Sequence, residues 1–451
     1  MKKTIFLTIA LVIAFSILTP PAMAQLGDVD NSSFIIQNVG SGQATVVVTF
    51  YDEDGNGITP NLLNSNKPNP FTLDQGASFE VYLPGIPGLS NGRYSVVVSS
   101  DQPVVAIANL IGQNTAGTVF YNGSYAGASE GATTIYLPAI VRAYYGWNSL
   151  ISVQNVGSSP TDVTVTYTCG SNTYTHTKTG LQPNASVHFD LETNPPSGMP
   201  TGCNGSAVVT STGNQPIIAV DNQTAAGQGF TQSYNGFANG ATTVYVPALY
   251  HDYYTWSSSL NIRKIGSGNT VVTVTYSDGG TPSTCNLTDA TPSCMLYMPT
   301  AHPAKGRFAA TITSTSLPIV AIVNAANPNK QAQTYEGFMD GKSSVGLPTV
   351  MKKYYGWDTS FTCQNVGSVS TVLSIAYQGY AANAYDTISL DPGKSVEIYQ
   401  PAETFLPNGY RGSVTVTAKA TGAKIACIVN QTHGANQAAG KGDWSMSYNA
   451  P

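Results

Sequence analysis

Chemistry in this 451-residue chain would have to come from four small sets of residues. The segment Asp52-Glu53-Asp54-Gly55-Asn56-Gly57 spells D-x-D-x-N-G, the opening of an oxygen-rich calcium loop with Asp52, Asp54 and Asn56 as its first ligands. The twelfth position, Leu63, cannot supply the closing carboxylate. A hairpin turn after the strand-like run ending at Phe50 and Tyr51 calls for the same residue types. The second set is a triplicated Tyr-Tyr-x-Trp: Tyr144, Tyr145 and Trp147; Tyr253, Tyr254 and Trp256; Tyr354, Tyr355 and Trp357. Such rings can stack on sugars, with Arg142, His251, Lys352 and Lys353 nearby to meet anionic glycans, or they can bury surface between neighbouring domains. The third set is six cysteines and the fourth five histidines, His176, His188, His251, His302 and His433. The histidines occupy no equivalent positions, and no His-Glu-x-x-His, Gly-x-Ser-x-Gly or phosphate-loop pattern occurs. The expectation is a protein that is not an enzyme and needs no cofactor beyond that calcium.

The elements that position these residues are strands. Only 10% of the chain is Asp, Glu, Lys or Arg, against about 25% in a typical soluble protein. The 44 Gly, 27 Pro and 26 Tyr stand where a helical bundle would have Glu, Lys and Leu. An apolar content of 42% argues against a disordered chain, and a net charge of −5 against a nucleic-acid surface.

A fourfold repeat organises the chain. Gln37-Asn38-Val39-Gly40, Gln154-Asn155-Val156-Gly157, Arg263-Lys264-Ile265-Gly266 and Gln364-Asn365-Val366-Gly367 each precede a strand-like run. Those runs end at Phe50, Tyr167, Tyr276 and Tyr377, always ten residues after the glycine. In the last three copies Trp147, Trp256 and Trp357 precede the glycine, also by ten, and Pro138, Pro247 and Pro348 stand nine residues earlier still. Val163, Val165 and Tyr167 alternate with Thr164 and Thr166, the period of a half-buried strand. About seven short strands in a repeat of roughly 100 residues point to a two-sheet sandwich. The boundaries are 25–130, 131–239, 240–340 and 341–451. The fixed 42-residue spacing from Tyr125 to Tyr167, Tyr234 to Tyr276 and Tyr335 to Tyr377 crosses each junction and implies similar joints, as in a rod-like linear array.

The cysteines fall two to a repeat in the last three repeats, which favours pairing within repeats. Cys363 matches Ile36, Val153 and Ile262; Cys427 matches Ala106, Ala219 and Ala321. A large residue facing a small one in three copies, and Cys facing Cys in the fourth, marks two positions in contact. At this level the chain resembles tandem immunoglobulin-like repeats of exported bacterial surface proteins, whose second and sixth strands are often bridged between sheets. That resemblance implies four tandem all-β immunoglobulin-like β-sandwich domains. Cys169–Cys203 and Cys285–Cys294 read as local clips, the latter closing a hairpin. Trp357 departs from the antibody pattern, because it precedes the first cysteine.

Residues 1–24 read as a signal peptide: Lys2 and Lys3, an apolar run from Ile5 to Leu18, then Ala22-Met23-Ala24 as the cleavage pattern. Export to the cell surface or beyond follows, with no transmembrane anchor after cleavage. The mature first repeat then lacks its opening strand, which leaves an edge for docking. The reading is an exported structural protein of the bacterial surface or matrix (envelope layer, filament or stalk), partnering itself or other surface proteins and self-assembling through that repeat. The alternative is an adhesin or carbohydrate-binding protein that takes cell-surface glycans on the Tyr-Tyr-x-Trp aromatics.

Overall fold

The computed structural model describes residues 9–14, 29–62, 67–113, 120–225, 229–380, 389–434 and 443–450. Their regular structure is nearly all antiparallel strand, joined by turns and loops, with helix limited to short turns such as Met298–Ala301. Eight small sheets fall two to a repeat. In the second repeat, one sheet runs in the order Thr134–Arg142, Cys203–Ser211, Thr161–Cys169, Asn172–Leu181. The other runs Ser186–Asp190, Asn148–Asn155, Ile217–Ala225, Phe230–Asn235. The third and fourth repeats keep both orders. Val163, Val165 and Tyr167 are fully buried, and they join Ile151, Val153 and Ala219 of the second sheet in one apolar cluster. The alternation read from sequence is therefore the inward and outward pleat of these strands.

Two recurrent motifs have local physical causes. Pro138, Pro247 and Pro348 sit where the register of the opening strand shifts, between Leu137 and Ile140, Val246 and Leu249, and Leu347 and Val350. Proline has no N–H for the ladder, so a bulge is where a sheet tolerates it. The carbonyl freed just beyond accepts a buried tyrosine hydroxyl in each case: Tyr234 on Ala139, Tyr335 on Ala248, and Tyr448 on Thr349 at 2.8 Å. The asparagine of Gln-Asn-Val-Gly braces the turn that follows it. Asn155 donates to the carbonyls of Ser159 and Leu181, both at 2.9 Å, and accepts from the Gly157 N–H. Asn38 and Asn365 do the same. Where the third repeat has Lys264, its ammonium reaches the Gly266 carbonyl at 2.8 Å and Asp289 at 2.7 Å, while Asp289 takes the Gly268 N–H.

The repeats do not form a line. Their last strands, Phe120–Ala126, Phe230–Asn235, Gln331–Glu336 and Ser445–Asn449, pack side by side around one axis, and the fourth lies against the first. The rod-like array expected from the constant junctions is thus corrected to a closed ring. Equal joints generate a ring when the rotation per joint closes. The axial strands carry polar side chains, which pair across repeats. Gln232 donates to the Ala325 carbonyl, Gln333 to the Ser445 hydroxyl at 2.5 Å, and Asn122 to the Asp443 carbonyl. Gly123 permits the close approach there, since a Cβ would lie 2.5 Å from the Ser233 hydroxyl. At the centre, the buried Asp443 carboxylate accepts the backbone N–H groups of Thr231, Ala332 and Ser445 at 3.0–3.1 Å, from three different repeats. Burial holds its pKa well above the usual carboxylate range.

The six cysteines form three bridges. Cys363 and Cys427 are direct cross-strand partners in one sheet, with Cα atoms 4.1 Å apart. The immunoglobulin-type bridge between sheets is corrected accordingly. The equivalent pairs Ile36–Ala106, Val153–Ala219 and Ile262–Ala321 face each other in the same register. Cys285 and Cys294 lie on strands of different sheets, so that clip spans the two layers and does not close a hairpin. The first repeat takes its opening strand from Ile9–Ala14, within the segment read as the signal peptide; it pairs with Ser95–Ser100. The cleavage pattern at Ala22–Ala24 lies outside the described residues. Among the described residues, no helix is long and apolar enough to cross a membrane. Paired cysteines are also the state expected of an exported chain.

Candidate functional site: clefts between repeats

One pair of corresponding positions meets at each of the four joints in the ring. Arg307 of the third repeat approaches Glu397 of the fourth at 3.6 Å, and Arg411 of the fourth pairs with Glu80 of the first. At the joint of the second and third repeats the pair is Asn204 and Met295, with the amide donating to the sulfur at 3.2 Å. At the first joint Arg93 and His188 occupy these positions, bridged by Glu53 at 3.9 and 3.3 Å.

Above three of these joints stand the Tyr-Tyr-x-Trp groups. Each lies on a two-residue turn between the opening strand and the next, closed by reciprocal backbone bonds such as Tyr253 with Trp256 at 2.9–3.0 Å. Both central residues have positive φ: 50° and 85° at Tyr145 and Gly146, 46° and 72° at Tyr254 and Thr255, 46° and 88° at Tyr355 and Gly356. That is the mirror-image turn that matches strand twist. Thr255 holds it without glycine, in a conformation a β-branched residue adopts at a cost. The geometry divides each aromatic group. Tyr144, Tyr253, Tyr354 and the three tryptophans are half-buried, whereas Tyr145, Tyr254 and Tyr355 are 79%, 81% and 84% exposed. Large rings held out on strained turns are not burying interdomain surface.

Between the third and fourth repeats the aromatic group borders a cleft of about 590 Å³. The corresponding clefts at the fourth–first and second–third joints are about 190 and 150 Å³. On one wall of the large cleft Tyr250 and Tyr253 stack at 5.9 Å, and Tyr254 stands edge-on to Tyr253 at 4.8 Å. The opposite wall comes from the next repeat: Ser360, Glu397, Tyr399, Asn430 and Thr432. Glu397 accepts the Tyr253 hydroxyl at 3.1 Å, and Asn430 donates to the Tyr250 hydroxyl at 3.2 Å. Burial first, and then the neighbouring Glu397 charge, push the Tyr253 phenol pKa up, so the phenol stays a donor. The axial strand adds Gln331 and Gln333. The sequence pointed to the aromatics; it did not point to Glu397, Tyr399 or Asn430, because only ring geometry brings the next repeat to them. Variation among Glu80, His188, Met295 and Glu397 at one repeat position was the available signal.

The remaining candidates lie elsewhere. Asp52, Asp54 and Asn56 form the turn between Ala44–Tyr51 and Gly57–Ile58. Asp52 accepts the N–H groups of Asp54 and Asn56 and the Asn56 side-chain amide at 2.8–3.1 Å, so that amide directs its N–H at Asp52. Among the described residues no group of three or more His, Cys, Asp or Glu gathers as a metal site would. A Ser-His-Glu series occurs at the first joint, with Ser152 2.8 Å from His188 Nδ1 and Glu53 3.3 Å from Nε2. Ser152 and His188 Nε2 are buried at the joint.

No protein-family model and no curated protein matches the chain. Among solved structures it is similar to the Thermotoga maritima protein 1070, at 16% identity over 26% of this chain and 91% of that one, TM-score 0.20. It is also similar to the Anabaena sensory rhodopsin transducer, at 19% identity over 22% and 90%, TM-score 0.15. A tetra-tandem repeat in the extending region of a large adhesion protein aligns over 98% of this chain and 97% of its own, at 11% identity and TM-score 0.12. Likeness at these scores carries no argument about fold or function.

Proposed function

We propose that the protein is an exported, non-enzymatic surface protein in which four immunoglobulin-like two-sheet repeats build a ring-shaped platform that binds ligands in clefts between repeats. The observation that carries this reading is a ring in which corresponding positions meet at every joint, combined with exposed tyrosines on positive-φ turns beside open clefts at three of them. Rigid scaffolds with functional groups on turns are the usual design of binding proteins. The filament or stalk reading has less support, since the last strand of the fourth repeat packs on that of the first. Self-assembly keeps one specific support: removal of residues 1–24 would free the edge of Ser95–Ser100 where Ile9–Ala14 lies. Surface-protease accessibility on intact cells, with electron microscopy of the purified mature protein, tests the proposal. Protease-accessible protein forming single compact rings is expected. Retention in the cytoplasm would overturn export, and fibres or sheets would return the reading to self-assembly.

A further inference from the structure

The cleft between the third and fourth repeats differs from its two counterparts in size and in chemistry. Its volume of about 590 Å³ falls within the roughly 300–1,000 Å³ of small-ligand sites, and the other two fall below it. We propose that this cleft binds a neutral saccharide about two rings long; this rests on, and deepens, the surface-binding reading above.

Three features on its walls fit that chemistry. A pyranose presents an apolar C–H face that stacks on an aromatic ring, and Tyr254 and Tyr399 offer rings that are 81% and 53% exposed on opposite walls. Its hydroxyls both donate and accept. The cleft is also lined by the amide of Asn329 and the hydroxyls of Ser360 and Thr432, which do both, with the hydrogen-bonded amides of Asn327, Gln331 and Gln333 beneath. The one carboxylate, Glu397, is matched by the Arg307 guanidinium at 3.6 Å and the Tyr253 hydroxyl at 3.1 Å. It can accept a sugar hydroxyl, while its charge is already balanced. A cationic ligand would have to compete with Arg307, and an acidic sugar would meet the carboxylate. Both are disfavoured relative to an uncharged ring.

Titration calorimetry on the full 451-residue chain tests this, with cellobiose, maltose, lactose and diacetylchitobiose as neutral probes and digalacturonate as the charged one. Saturable one-to-one binding of a neutral disaccharide is expected, weakened about tenfold by Tyr254→Ala with an unchanged melting temperature. Tyr145→Ala and Tyr355→Ala, at the smaller clefts, should leave it unaltered. Glu397→Gln, which keeps an acceptor, should weaken binding less than Glu397→Ala. Absence of binding by all four neutral sugars at millimolar concentration, tighter binding of digalacturonate, or binding indifferent to Tyr254→Ala would each overturn the proposal. A protein that is a surface-exposed ring yet binds none of these sugars would leave the platform reading standing and remove only the ligand class.

Discussion

The guanidinium of Arg411 pairs with the carboxylate of Glu80, 331 residues earlier in the chain. It is the counterpart of Arg307 with Glu397, moved one repeat around the ring. Both side chains are part exposed, so the pair itself contributes only about 0.5–1 kcal/mol. A double-mutant cycle of Arg411→Ala and Glu80→Ala in urea should return a coupling of that size. A coupling of zero would mean that this pair adds nothing to the closure made by the packed last strands of the first and fourth repeats.

Asp443 should matter more than any surface pair. Asp443→Ala leaves the N–H groups of Thr231 and Ala332 buried without their acceptor, a cost of about 2–4 kcal/mol. Thermal melting should fall clearly, and limited proteolysis should separate the fourth repeat before the others unfold. A variant that melts like the parent would show that the carboxylate does not close the ring.

The buried acids also set a pH dependence. Burial pushes Asp221 and Glu336 up to about 7, and Asp443 is raised as well. The folded state therefore binds more protons than the unfolded chain between about pH 4 and pH 7, so stability falls as pH rises through that window. Asp221 and Glu336 each contribute roughly 4 kcal/mol at most. Denaturant titrations should show a less stable protein at pH 8 than at pH 5, with a smaller difference in Glu336→Gln. An increase in stability over the same range would contradict the burial of these groups.

Replacing Cys363 and Cys427 together by Val and Ala copies the pair at Val153 and Ala219. The double variant should fold and be insensitive to reductant at this site, whereas reducing the parent bridge should cost about 2–4 kcal/mol. Melting with and without reductant checks both outcomes.

Thr255→Gly should stabilise the protein by about 1 kcal/mol, because Thr255 is exposed at φ 72° where the other two turns have Gly146 and Gly356. If the strain serves to hold Tyr254 in place, ligand affinity should drop as stability rises. A destabilised variant would mean that the threonine side chain makes contacts that outweigh the strain.

Much of each repeat was legible in the sequence because its causes are local. The Val163, Val165, Tyr167 alternation, the bulge at Pro138 and the Asn155 brace all act within one repeat. The facing of Cys363 and Cys427 was legible too, since three other copies hold complementary volumes there. Ring closure was not, because the rotation at a joint is set by contacts such as Arg263 with Ser206 and Gln154 with Ser95, which no spacing records. The large cleft shared that fate: its far wall belongs to a neighbour whose placement depends on that rotation.

Four fused copies need not stay alike. In an assembly of separate identical subunits, a substitution that opened one recess would open every recess. Here the residue facing the neighbour has become glutamate twice, methionine once and histidine once, and the Tyr-Tyr-x-Trp sequence occurs in three of the four repeats. A single polypeptide can therefore specialise one gap for a guest and let the others fill in and serve as mortar.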